Sequence, residues 1–132
     1  MIEINKFFYN IFFFILIFFP TIVEGKPLSI GNSKAKITVK VFSSLTCPHC
    51  ADFHSAVFFN LKKDFIDKGL VKFEHHAFPL DLAALNAEMI VRCHNDNKKK
   101  FEILEKIYEK QKDWAVGSDI KRINDTIKKI GS

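Results

Sequence analysis

Cysteine and proline are scarce in this 132-residue chain: there are three cysteines and four prolines, and no proline lies beyond Pro79. Arginine is scarcer still, with Arg92 and Arg122 alone beside a surplus of lysine. Three cysteines cannot staple a small disulfide-rich scaffold. A second Cys-x-x-Cys pair, which a closed four-cysteine zinc site needs, is missing, and Ala51 rather than histidine follows Cys50, so the haem-attachment pattern is missing too. The basic runs Lys62–Lys63, Lys98–Lys100 and Lys128–Lys129 carry no interleaved aromatics. The formal net charge of +5 therefore reads as solvated surface and not as a nucleic-acid footprint. At 27% charged residues the chain is no disordered tail, and its length allows one domain at most.

Phenylalanine is abundant: 15 residues, seven of them (Phe7, Phe8, Phe12, Phe13, Phe14, Phe18 and Phe19) within the first 25. Lys6 and the amino terminus form a small basic region, Phe7 to Phe19 is apolar apart from Tyr9 and Asn10, and Pro20 ends the run. Val23, Glu24 and Gly25 then offer a cleavage site. That order reads as a secretory signal peptide over residues 1–25, cut after Gly25. Its apolar core is shorter than the roughly 20 residues of a membrane span. The alternative is an uncleaved N-terminal anchor, the one way this chain would hold a membrane. Either reading exports residues 26–132, which in a bacterium means the periplasm, where disulfides form.

Lys26 to Lys36 is polar and reads as a leader or turn. Ile37 to Phe42 alternates β-branched residues and predicts a strand. From Cys47 the period becomes helical, with Cys50, His54, Val57, Phe58, Leu61 and Phe65 spaced by three and four and Gly69 as the C-terminal stop. Leu70 to Ala77 predicts a second strand, closed by Pro79. The 37–79 segment is thus a strand–helix–strand unit with a right-handed crossover and parallel strands. Residues 80–131 are helical. Asp81 caps a helix through about Cys93 with Leu82, Leu85, Met89 and Ile90 as its core stripe. Phe101, Leu104, Ile107 and Tyr108 mark another. Ser118 or Asp119 caps a third, striped by Ile120, Ile123, Ile127 and Ile130.

The chemistry sits in Cys47-Pro48-His49-Cys50. Two thiols at this spacing reach disulfide distance within one helical turn. The unpaired amides and dipole of a helix start stabilise a thiolate on Cys47, the exposed nucleophile, while Cys50 is the inner resolving thiol. Pro48 suits the first helical position, and His49 supplies a donor or a cation beside Cys47. Stabilising the thiolate makes the disulfide the stronger oxidant. Competing readings are a permanent structural disulfide and a metal site built from Cys47, Cys50 and His54, with His75 and His76 as further candidates. His94 reads as a surface or packed residue, Trp114 and Tyr108 as packing residues. No metal or cofactor is implied.

The run Phe42 to His54, with Pro-His between the cysteines, resembles the active-site stretch of the DsbA-like periplasmic thiol:disulfide oxidoreductases. Lys72 to Asp81, Ala84 to Ala87 and Lys110 to Trp114 are similar to later segments of the same family, so the resemblance runs from about Ile37 to Ile130. It implies an α/β thioredoxin-like fold with a helical insertion. It implies that Cys47–Cys50, as a disulfide, oxidises reduced exported proteins and that a membrane quinone-linked partner reoxidises it. The family's chain continues through a cis-Pro loop, a strand hairpin and a terminal helix. With no proline after Pro79, this chain is expected to lack them and, with two strands only, to be unstable alone. Beside the oxidoreductase reading stand two alternatives: an inactive or split-gene fragment that needs a further half and, in another class, a periplasmic metal-binding module. Cys93 either pairs with a cysteine outside this sequence or is an inert buried thiol.

Overall fold

The computed structural model describes residues 25–132, so the signal-peptide reading lies outside the described residues apart from Gly25. Strand β1 (Leu28–Gly31), strand β2 (Ile37–Ser43) and strand β3 (Val71–Ala77) form one sheet in the order β1-β3-β2. β2 and β3 are parallel, with Ile37 opposite Val71 and Ser43 opposite Ala77, as the strand–helix–strand pattern requires. β1 is antiparallel to β3 and corrects the reading of residues 26–36 as a mere leader. Four residues are too few to show alternation. Leu28 is nonetheless buried, and Arg92 ties the segment down through Nη1 donating to the Lys26 carbonyl at 3.0 Å. Among the described residues the sheet therefore has three strands, not two, and β3 is paired on both sides.

The crossover helix α1 covers residues 48–66. It opens as an α-helix (Pro48–Asp52), passes through a π-helical stretch (Phe53–Phe58) and an α turn (Phe59–Leu61), and closes in a second π-helical stretch (Lys62–Ile66). The wider π turns change the phase of the inward face. His54, Phe58 and Ile66 are buried while Val57 and Phe65 of the same period are exposed. Gly69 (φ +73°) stops the helix, with its N–H on the Ile66 carbonyl and that of Leu70 on Phe65.

Helices α2 (Leu82–Arg92), α3 (Asn97–Glu109), α4 (Gln111–Trp114) and α5 (Ile120–Gly131) follow. Asp81, Asp96 and Asp119 cap α2, α3 and α5 through their carboxylates, and Asp119 rather than Ser118 is the cap of α5. The core stripe expected on α2 is wrong in phase. Leu82, Leu85 and Met89 are 54%, 44% and 60% exposed, and the helix instead buries Ala83, Ala84, Ala87, Glu88 and Val91. Small residues let α2 approach α3 and α5 closely, so alanine, not leucine, marks the inward side. Phe58, Phe73 and Phe101 meet at the centre, with Phe58 and Phe73 ring centroids 4.6 Å apart.

Gly31 holds φ +100°, and a Cβ there would stand 2.6 Å from the Val71 carbonyl oxygen. At Gly69 a Cβ would make only ordinary contact, with Asn32 at 3.7 Å. Gly31→Ala is expected to lower the urea unfolding free energy by about 2–3 kcal/mol and Gly69→Ala by about 1 kcal/mol. Equal effects would show that β1 is not held against β3 as described.

Candidate active site

Cys47 stands at the junction of a buried loop and α1. Leu45 is buried beneath it, and the Cys47 carbonyl accepts the amides of Cys50 (3.1 Å) and Ala51 (3.2 Å), which closes the first helical turn. Pro48 occupies the first helical position, where no N–H is needed. The loop is gripped from two sides. Thr46 Oγ1 donates to Asp81 Oδ2 at 2.7 Å while Asp81 Oδ1 accepts the Ala84 amide at 2.7 Å, so one carboxylate caps α2 and fixes the loop. Thr46 has given its only hydroxyl hydrogen to Asp81, so at 3.1 Å Ser44 donates to Thr46. From the other side Gln111 Nε2 donates to the carbonyls of Leu45 (2.8 Å) and Cys47 (3.0 Å).

Both active-site sulfurs are partly buried, and they differ electrostatically. The Cys50 amide, above all, and then the Cys50 thiol and the His49 amide hold the Cys47 thiol below its ordinary pKa, against partial burial and the Asp52 carboxylate. Burial first, and then the neighbouring Cys47 sulfur, push Cys50 up, against a backbone bond from Ser44. The His49 side chain is 95% exposed, with Nδ1 4.0 Å from Asp52. Its backbone N–H, not its imidazole, is what acts on Cys47.

Beneath the pair lies a polar layer that sequence reasoning missed. Ser43 Oγ is 3.1 Å from His75 Nδ1, His75 Nε2 is 3.0 Å from Glu88 Oε2, and Arg92 Nε donates to Glu88 Oε1 at 2.8 Å. An ionised carboxylate only accepts, so Nε2 carries the hydrogen toward Glu88. Burial acts to raise the Glu88 pKa, but His75 and Arg92 together bring it below the ordinary carboxylate range. His54 stacks on Tyr108 with ring centroids 4.1 Å apart. Neither His54 nitrogen nor the Tyr108 hydroxyl has a partner. Burial, helped by His75, holds the His54 pKa down at about 3, and burial pushes Tyr108 up. His75 and Glu88 had no sequence signal beyond being polar in apolar surroundings. Gln111 was hidden among charged neighbours.

Among the described residues no group of three or more His, Cys, Asp and Glu side chains is arranged to hold a metal, so Cys47, Cys50 and His54 form no ligand set. Cys93 caps the end of α2 and is exposed, which corrects the reading of it as a buried thiol. Trp114 is buried and donates to the Ile107 carbonyl at 2.8 Å; His94 is 3.4 Å from that of Gly131.

A parallel strand pair, a crossover helix and a Cys-x-x-Cys at the helix start define a thioredoxin-like protein. Residues 24–130 match the family described as Thioredoxin, and the chain belongs to it. Among its relatives, disulfide bond formation protein D of Bacillus subtilis is 38% identical over 96 residues, covering 69% of this chain and 42% of the relative. A Rickettsia bellii protein with the provisional name protein-disulfide oxidoreductase is 31% identical over 110 residues, covering 83% of this chain and 42% of its own length. The chain thus spans about two fifths of the length of the curated relatives it matches. The crystal structure of Wolbachia pipientis alpha-DsbA1 superposes with a TM-score of 0.65 at 31% identity, covering 69% of this chain and 46% of that one.

Two outcomes follow from the site. In the reduced chain, Cys47 is expected to alkylate well below the free-thiol pKa of about 8.5 and Cys50 above it; mass-resolved iodoacetamide labelling against pH reads both, and a single shared profile refutes the asymmetry. The His54 pKa is about 3 in the folded chain against an ordinary value near 6.5, so the unfolded chain holds the extra proton between those values. Its contribution to stability is therefore present above about pH 6.5 and lost on acidification toward pH 3. Urea midpoints measured from pH 7 to pH 4 should fall more steeply in the parent than in His54→Phe, and parallel curves would contradict the buried neutral imidazole.

Proposed function

We propose that this chain is a thiol:disulfide oxidoreductase that introduces disulfides into exported proteins through Cys47 and Cys50. The observation that carries the reading is the asymmetry of the pair at the start of α1, with Cys47 stabilised as thiolate by main-chain amides and Cys50 desolvated. The names of the relatives support it.

The reaction begins from the Cys47–Cys50 disulfide. A substrate thiolate attacks Cys47 Sγ, a mixed disulfide forms, and Cys50 leaves as a thiolate that takes up a proton. A second substrate thiolate then attacks the substrate sulfur of the mixed disulfide and expels Cys47 as a thiolate. The substrate loses two electrons as its disulfide forms, and the cysteine pair gains them. The amides of His49 and Cys50 stabilise the leaving thiolate, which favours the final step. In this reading residues 1–25 direct export to the periplasm, and a membrane quinone-linked partner restores the disulfide.

A second reading is favoured by the sheet. Among the described residues the outer edge of β2 is unpaired, and Ile37, Val57 and Phe65 are exposed. Such an edge accepts another strand. The unit then works together with more polypeptide than residues 25–132 supply.

The test is oxidation of a reduced, unfolded substrate protein by the full chain carrying the Cys47–Cys50 disulfide. Substrate thiols should be lost in step with reduction of the pair. Offered the disulfide-bonded form of that substrate, reduced Cys50→Ser should trap it on Cys47, whose thiolate displaces one substrate thiolate, and Cys47→Ser should trap none. Equal thiol loss with Cys47→Ser/Cys50→Ser would defeat the proposal. Oxidation appearing only after a strand-bearing second polypeptide is added would establish the second reading.

A further inference from the structure

Beside the cysteine pair a cleft of about 640 Å³ opens between α1 and the α3–α4 junction, with Pro48 and Ala51 among its lining residues. Phe59, 64% exposed, gives it aromatic surface, and His54, Phe58 and Tyr108 line it from buried positions. His54 and Tyr108 are 6% and 4% exposed, and their ring nitrogens and hydroxyl are the unpartnered atoms described above.

The walls are acidic, against the overall charge of +5. Asp52, Glu105 and Glu109 line the cleft. Glu105 is in no ion pair; burial, and then Glu102 and Asp67, push its carboxyl up against the pull of Lys62. Lys62 is already held by both oxygens of Asp67 at 3.0 Å. Lys112 is the other basic group in the lining. Counting those neighbours, carboxylates outnumber cations around Glu105.

We propose that this cleft seats a basic side chain, lysine or arginine, of the polypeptide whose cysteine exchanges with Cys47. The inference rests on the exchange reading and adds a preference to it. A lysine or arginine stem lies along aromatic rings while its head stays with carboxylates. The cation gives Glu105 the partner it lacks. An apolar side chain would desolvate the exposed Glu105 carboxylate without pairing it, and an acidic one would add repulsion. His54, neutral in the folded chain, does not oppose a cation.

The test uses the full chain in its disulfide form and capped cysteine peptides. The peptides differ only in one residue, two to four positions from the cysteine: lysine, norleucine or glutamate. At low salt the second-order exchange rate should rank lysine, norleucine, glutamate, with lysine ahead of norleucine by about threefold or more, the scale of an exposed ion pair. That ratio should fall toward one at about 0.5 M salt, where screening is strong. It should also fall toward one in Glu105→Gln/Glu109→Gln, two near-isosteric changes. Equal rates, or a lysine advantage that survives the double substitution, would overturn the proposal. Cysteine-free N-acetyl-Lys-Phe-amide, titrated into the ¹⁵N-labelled chain, separates this idea from the exchange reading. Amide shifts centred on residues 51–55 and 105–112 support the cleft even if no peptide is oxidised, and no shift there refutes it even if all are.

Discussion

The carboxamide of Gln111 is the contact on which the cysteine pair depends. Its Nε2 donates to the Leu45 and Cys47 carbonyls from a buried position. These carbonyls belong to a loop with no strand partner of its own, so without Gln111 the Leu45 oxygen would be buried and unpaired. Such a loss costs about 1–3 kcal/mol per group. More is at stake than stability. The Cys47 carbonyl also accepts the two amides that start α1, so Gln111 fixes the plane from which the Cys47 sulfur projects. Asp81 acts in the same sense from the opposite side through Thr46. The helices after β3 are thus not an appendage to the strand–helix–strand unit. They supply both grips on its reactive loop.

The layer beneath the thiols shows how a polar interior is tolerated. His75 is fully buried and has a partner on each ring nitrogen, and Glu88 is bound on both oxygens. Each buried charge or donor there is paired, which is the condition for such groups to be retained in a core. His54 and Tyr108 break the rule one layer closer to Cys50. Held neutral by burial, they put polarisable rings, not a charge, near Cys50. A charged group at that depth would act strongly on the Cys50 thiol, because the dielectric there is low.

Much of this was legible in the sequence, and the failures have physical causes. The Cys-x-x-Cys after a β-branched run, the glycine stop at Gly69 and the Asp81 and Asp119 caps are local signals, and the structure realises each locally. β1 escaped because a four-residue strand is specified by its partner β3 and not by its own alternation. The α2 stripe was misread because its inward face is alanine, chosen for close approach, while leucine and methionine lie outside. Gln111, His75 and Glu88 escaped for another reason. Their roles exist only when residues 66, 32 and 13 positions apart meet, and no spacing rule within one element announces such a meeting.

The division of labour between backbone and side chain at the site has a consequence for how such a pair is tuned. The Cys47 thiolate is supported first by the Cys50 amide, then by the Cys50 thiol and the His49 amide. The lowered pKa is therefore a property of the helix start and of the Cys50 thiol, and it survives changes of the His49 side chain that leave the turn intact. The His49 imidazole stands in water, where Coulomb terms are screened and an exposed pair such as that with Asp52 is worth little. The main chain at the start of α1 therefore sets the Cys47 thiol, and the exposed His49 imidazole adds little to it.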